Sequence, residues 1–322
     1  TEALGQVAGR LGWDQETMMP RGAAAQRSEE MAAMEGVLHA RRIDPRMADW
    51  LAKIDDTALG PVEQAQMREI RRSYARTVKV PAALAAEIAR VTSRAQGQWA
   101  EARSNDDVAA FVPVLKDVLR LKREEGQALA AGGNVYDAML DDYEPGITAD
   151  DLETMFAAMR PRLVALRAAV LDRPAPAGLT GTFDEPKQMQ LTRKLAKAFG
   201  YDRETGRVDK AVHPFSSGSG QDVRITTRTS ETDPFNCFYS TLHEVGHACY
   251  EQNIAPDFLL TPLGRGVSMG VHESQSRIYE NQLGRSHAFC GFLFEQMQAQ
   301  FGDFGVADAD ALYGAVNRVS NG

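Results

Sequence analysis

Apolar residues recur every three or four positions along most of the chain, the period of one buried face of an α-helix. This spacing predicts a helix ending at Pro20 and a second, rich in Ala, Glu and Met, over about 21–39. A third is predicted over 62–80, with Met67, Ile70, Tyr74 and Val78 on its apolar side and Pro81 closing it. Residues 82–103 and 107–131 continue the pattern. Phe111, Leu115, Val118 and Leu119 form the stripe of the latter, with Pro113 at its first turn or at a kink. Thr148 caps a helix expected over 148–173, whose Leu152, Met155, Met159, Leu163, Leu166 and Val170 share a side. The run Pro174-Ala175-Pro176-Ala177-Gly178 reads as a surface loop, and one more helix follows over 185–200.

Between 206 and 228 the period shortens. Val223, Ile225 and Thr227 alternate with Asp222, Arg224, Thr226 and Arg228, as in a strand with one wet face. Residues 206–215 form a second extended run, and 216–220 read as the turn joining the two. A peptide could add to the edge of such a sheet as one more strand. From 234 to 319 the helical period returns. The expected fold is mostly α, with a small β-sheet leading into a helix that starts near 234.

Polar positions mostly read as solvated surface. Arg68, Arg71, Arg72, Arg76 and Lys79 line one face of 62–80 and are expected to face water. Residues 136–146 form an acidic, aromatic connector without the residue pattern of a Ca²⁺ loop, and Trp13, Asp14 and Glu16 read as a packed corner.

Composition narrows the function classes. The 322 residues are 43% hydrophobic and 25% charged, ordinary for a soluble protein of one large domain or two smaller ones. A net charge of −8 and a pI near 5.4 argue against nucleic acid as the main partner. Cys237, Cys249 and Cys290 are scattered, which suits reduced thiols in a cytoplasmic protein. No apolar run reaches the ~18 residues of a membrane span, and no signal-peptide pattern opens the chain. The chain also lacks an initiator Met, which leaves room for a leading piece.

Chemistry concentrates at His243-Glu244-Val245-Gly246-His247. On a helix the two imidazoles stack on one face and can reach one Zn²⁺ at about 2.0–2.1 Å each. Glu244, turned about 100° around the axis, can act on a water held by the metal as general base. A zinc enzyme normally needs a third protein ligand. His272, Glu273, Glu280 and His287 are candidates, and spacing alone leaves the choice open. Glu273 is favoured by its charge and by Arg277 four residues on, which could steady the carboxylate.

His213-Pro214-Phe215, Asp222-x-Arg224-x-Thr226, His243-Glu244-x-x-His247 and His272-Glu273-Ser274-Gln275 stand in the order and spacing of the M32 family of metallocarboxypeptidases. The resemblance extends to the opening Leu11-to-Pro20 segment and the 140–146 connector, and covers nearly the whole chain. It implies a gluzincin-type helical peptidase with a deep substrate groove, a homodimer using Zn²⁺ or sometimes Co²⁺. It also implies release of single residues from peptide C-termini, with broad specificity and reluctance at Pro. The same resemblance assigns Glu273 as third ligand, Arg224 to substrate binding through the terminal carboxylate, and His213 to the active-site lining. Residues 1–322 would be one peptidase domain, helical over 1–200 with the sheet and zinc site over 201–322. The alternatives are a zinc oligopeptidase cutting internal bonds and a helical scaffold with a residual metal site.

The family continues past position 319 with an Ile-Arg-x-x-Ala-Asp and a Gly-x-x-Gln-Asp-x-His-Trp motif, and neither stands in this chain. Residues 320–322 no longer resemble the family. Bound zinc, poor solubility and trimming weaker than that of an extended chain are therefore expected.

Overall fold

A computed structural model describes residues 1–319, so residues 320–322, where the family resemblance lapses, lie outside it. Contacts divide the chain into two units: Thr1–Gly146 with Ile254–Arg265, and Ile147–Asn253 with the chain from Gly266.

The first unit is helical. It comprises α1 (Glu2–Thr17), α2 (Ala24–Arg42), α3 (Pro45–Lys53), α4 (Pro61–Thr77), α5 (Ala82–Ser104), α6 (Val108–Ala130) and α7 (Val135–Leu140). Helix α5 packs along both α2 and α6, and Val91, Ala95, Val114 and Leu121 fill the α5–α6 contact. Side-chain caps set several starts: Asp44, Asp107 and Asn134 each accept a backbone N–H from the first turn of α3, α6 and α7. Pro113 lies inside α6, beyond its first turn. The segment after Pro20 opens with a 3₁₀ turn, Arg21–Ala23, before α2 begins.

Two expectations change here. The 136–146 connector carries the short helix α7, and its Asp141 carboxylate receives Arg72 at 2.8 Å and Arg76 at 3.0 Å. The basic face of α4 is therefore partly bound, with Arg71 reaching Asp56 at 2.9 Å and Lys79, just past the helix, donating to the Leu129 carbonyl at 3.0 Å, while Arg68 faces solvent as expected. Opposite charges within reach of long side chains recruit what the sequence alone assigns to water.

The second unit holds α8 (Ala149–Leu171), α9 (Glu185–Ala198), a sheet, α10 (Pro234–Gln252), α11 (Met269–Arg277), α12 (His287–Phe301) and α13 (Ala309–Val316). Thr148 and Asp151 form a reciprocal capping box at the start of α8. None of the residues of α8 is buried, and the apolar stripe predicted there stays exposed beyond the half-buried Leu152, with Leu163 and Leu166 at 51% and 61%.

The sheet has order β1–β3–β2, with β1 (Gly206–Lys210) parallel and β2 (Ser216–Ser219) antiparallel to β3 (Asp222–Thr227). The segment predicted as a turn is thus itself a strand. Thr226 anchors it: its backbone N–H donates to the Phe215 carbonyl at 2.8 Å, and its hydroxyl accepts from the Phe215 N–H at 2.8 Å. The core gathers Leu195, Val223, Ile225, Phe238, Leu242, Val245, Leu293 and Leu312, all at 0% exposure. Helix α10 packs against β2, β3 and α9, and also against α11. The fold is mostly helical with a small sheet beside α10, as the periodicity predicts. Among the described residues no helix is long and apolar enough to cross a membrane.

Candidate metal centre

Helix α10 starts cleanly because Pro234 occupies its first turn and the Asp233 side chain accepts the Phe235 N–H at 3.1 Å. Phe238, Leu242, Val245 and Ala248 bury one face completely. His243 and His247 stand one above the other on another face, ring centroids 4.8 Å apart. Helix α11, capped by the Ser268 hydroxyl, comes very close at Gly246. A Cβ there would lie 2.6 Å from Ser276 Cα, so only glycine permits the approach. That contact brings Glu273 over the two histidines.

His243 Nε2 lies 3.6 Å and His247 Nε2 3.3 Å from the same oxygen, Glu273 Oε2. One ligand atom from each of the three residues falls within 4.8 Å of the others. Atoms bound tetrahedrally at about 2.0–2.1 Å from one ion stand about 3.3–3.4 Å apart, so the donor set fits a Zn²⁺-sized cation. Both Nδ1 atoms are engaged elsewhere, His243 with Glu280 Oε2 at 2.9 Å and His247 with His272 Nδ1 at 2.6 Å. This directs both Nε2 atoms to the shared position. Arg277 Nε donates to the other Glu273 oxygen, Oε1, at 3.0 Å, as the four-residue spacing suggests.

Glu244 is 6% exposed. Burial first, then the charges of Glu273 and Glu280 opposed by His243, push its carboxyl up to about 7. His247 is driven down to about 4 by burial and by the neighbouring His272 and His243. For His243, burial disfavours the charged ring, but the Glu280 hydrogen bond and the surrounding carboxylates outweigh it and raise its pKa. Both Glu244 and the candidate ligands His243 and Glu273 line a cavity of about 550 Å³, together with His213, Arg228, Tyr239, Arg277, Glu280 and Arg285.

The other expected residues separate. His213 is exposed on the cavity wall. Arg224 is not among the cavity's lining; Asp222 binds it through two oxygens, at 2.7 and 3.0 Å. Of the alternative ligands, His272 and Glu280 back His247 and His243, while His287 pairs with Asp310 at 2.6 Å on an exposed surface. Sequence reasoning passed over Glu251 and Arg228. Glu251 follows His247 by four, the same step that joins His243 to His247, and that repeat was the available signal.

The whole chain, residues 1–322, matches the family model described as carboxypeptidase Taq (M32) metallopeptidase. Thermostable carboxypeptidase 1 of Thermus thermophilus is 39% identical over 99% of this chain and 66% of its own length. The crystal structure of an M32 carboxypeptidase from Deinococcus radiodurans R1 aligns at 36% identity with a TM-score of 0.86, over 99% of this chain and 65% of that one. Trypanosoma cruzi metallocarboxypeptidase 1 aligns at 32% identity with a TM-score of 0.87, over 100% and 66%. The chain thus spans about two thirds of the length of the relatives it matches.

Proposed function

Belonging as it does to the carboxypeptidase Taq (M32) family of metallopeptidases, this chain, we propose, is a metallocarboxypeptidase that releases single residues from peptide C-termini. The convergence of His243 Nε2, His247 Nε2 and Glu273 Oε2, in a set bordering the cavity that Glu244 also lines, carries the reading. These three residues would hold Zn²⁺, with Co²⁺ as the alternative. A divalent cation there supplies Lewis acidity, polarising a carbonyl and lowering the pKa of water.

The protein's own groups supply the rest. Glu244 takes the proton of the attacking water and returns it to the leaving amine. Its burial raises the proton affinity of the carboxyl, the direction that favours taking that proton. His213 presents its ring on the cavity wall, where it can donate to the developing oxyanion or to the substrate backbone. A peptide ending in a free carboxylate calls for a cation. Arg277 and Arg285 already face Glu280, whereas Arg228 is exposed and donates to the neutral Asn236 amide at 3.0 Å. Arg228 is therefore favoured to receive the terminal carboxylate, with Arg224 as the alternative suggested by sequence. The reading includes broad side-chain tolerance, poor release next to Pro, a homodimer and a cytoplasmic setting.

The deciding experiment incubates the zinc-loaded chain with matched peptides carrying free or amidated C-termini and follows products by mass. Successive loss of single C-terminal residues, blocked by amidation, is the expected result. Internal fragments from both peptides would replace this reading with an oligopeptidase. Glu244→Gln should retain stoichiometric zinc and lose turnover by about 10²–10⁴-fold, whereas His243→Ala, His247→Ala and Glu273→Ala should lose the metal.

A further inference from the structure

The backing of His247 is longer than that of His243 and ends on a buried charge. His243 Nδ1 meets a carboxylate directly, that of Glu280. His247 Nδ1 meets a second imidazole, His272 Nδ1, at 2.6 Å. The opposite nitrogen of that ring, His272 Nε2, lies 2.8 Å from Glu251 Oε1. Glu251 is 7% exposed and also accepts the Gly266 N–H on Oε1 at 3.1 Å, while its Oε2 is buried without a hydrogen-bond partner. A buried carboxylate with one oxygen unsatisfied is costly compared with an apolar side chain of similar volume. Packing alone gives no reason for it.

The hydrogen-bond chain supplies one. A carboxylate only accepts, so His272 Nε2 carries the proton and donates to Glu251. In a neutral ring that leaves a lone pair on His272 Nδ1. His247 Nδ1 must then carry the proton between the two rings, which leaves His247 Nε2 with its lone pair facing Glu273 Oε2 at 3.3 Å. Reversing the chain would set a lone pair of His272 Nε2 against the buried carboxylate. Gly266 belongs to the same device, because a Cβ there would lie 2.4 Å from His272 Cδ2 and 3.3 Å from Glu251 Oε1.

We propose that Glu251 and His272 are positioning residues that fix His247 as the Nδ1–H tautomer, so that its Nε2 is permanently presented to a divalent cation. The proposal rests on the metal-site reading above.

Zinc affinity, measured by chelator competition on the full chain, tests it together with the visible spectrum of the Co²⁺-loaded protein. Glu251→Gln, nearly isosteric, and His272→Leu should each weaken Zn²⁺ binding by about 10–100-fold. Their double variant should be little worse than His272→Leu alone, since both act through one chain. Gly266→Ala, which crowds the His272 ring most closely and the Glu251 carboxylate less so while leaving both side chains chemically intact, should weaken zinc in the same direction and alter the Co²⁺ bands. Nitrogen-15 NMR of labelled histidine in the chelator-treated parent should find His247 protonated at Nδ1, and Glu251→Gln should mix the tautomers. Variants that bind zinc as tightly as a zinc-binding parent, with the Co²⁺ spectrum unchanged, would remove this proposal alone. A parent that bound no more zinc than His243→Ala would remove the metal reading and this proposal together.

Discussion

Three arginines face the cavity, and their partners divide them. Arg277 donates to Glu273 at 3.0 Å and to Glu280 at 3.0 Å; Arg285 approaches Glu280 at 3.5 Å and lies 4.6 Å over the Tyr239 ring. Both steady carboxylates that surround the histidines. Arg228, whose hydrogen bond is to an amide, can exchange that contact for a charged one at little cost. Arg228→Ala should therefore weaken binding of free-carboxylate peptides by about tenfold or more, measured as competitive inhibition constants, with little effect on amidated ones. Arg224→Ala should affect both peptides alike if its pairing with Asp222 is its main role. A selective effect at Arg224 and none at Arg228 would reverse the assignment. The comparison is legible only in three dimensions, because both arginines sit at wet positions of one predicted strand.

The contact between α10 and α11 depends on one hydrogen atom. Gly246 faces Ser276 Cα and the Gln275 carbonyl, which are backbone atoms of the neighbouring helix and cannot swing aside. Gly246→Ala must push α11 outward, and Glu273 moves with it away from His247 Nε2. A destabilisation of about 1–3 kcal/mol and a loss of zinc affinity larger than the loss in thermal stability are expected. Calorimetry beside chelator competition would measure both, and parent-like values would mean the helices adjust. Helix α11 runs on into a π-helical turn, Ile278–Leu283, and this wide turn carries Glu280 to His243. Strand β2 shows the limit of local reading. Its Ser-Ser-Gly-Ser sequence has weak strand propensity, and it pairs because β3 offers it an antiparallel ladder.

Acid sensitivity at the scale of a whole unit follows from Asp141. Burial raises its carboxyl, but the Gly146 N–H and the charges of Arg72 and Arg76 outweigh this and hold it below the usual carboxylate range. A depressed folded pKa means the stabilisation is present above the unfolded value near 3.8 and is lost as pH falls through the folded value. Asp141→Asn should thus be less stable than the parent at pH 7, by about 1 kcal/mol because the pair is partly solvated. The gap should close below pH 3.8. A gap independent of pH would assign the effect to packing instead.

The sequence by itself determined most of the long helices, the sheet's position, the His243–His247 pair and the family's ordered motifs, but not the short helices α3 and α7. Each of these is carried by a local period or spacing, and helix geometry turns a step of four into a shared face whatever else the chain does. Spacing did not decide which of His272, Glu273, Glu280 and His287 turns its donor atom to the two histidines; charge and Arg277 favoured Glu273, the family resemblance assigned it, and only the packing of α11 against α10 brings its oxygen to them. That packing is also what made backing residues of His272 and Glu280 and set Glu251 behind His272. Distances between side chains on separate elements are fixed by close approach at glycines and by buried polar groups seeking partners, and neither leaves a periodic trace in the chain.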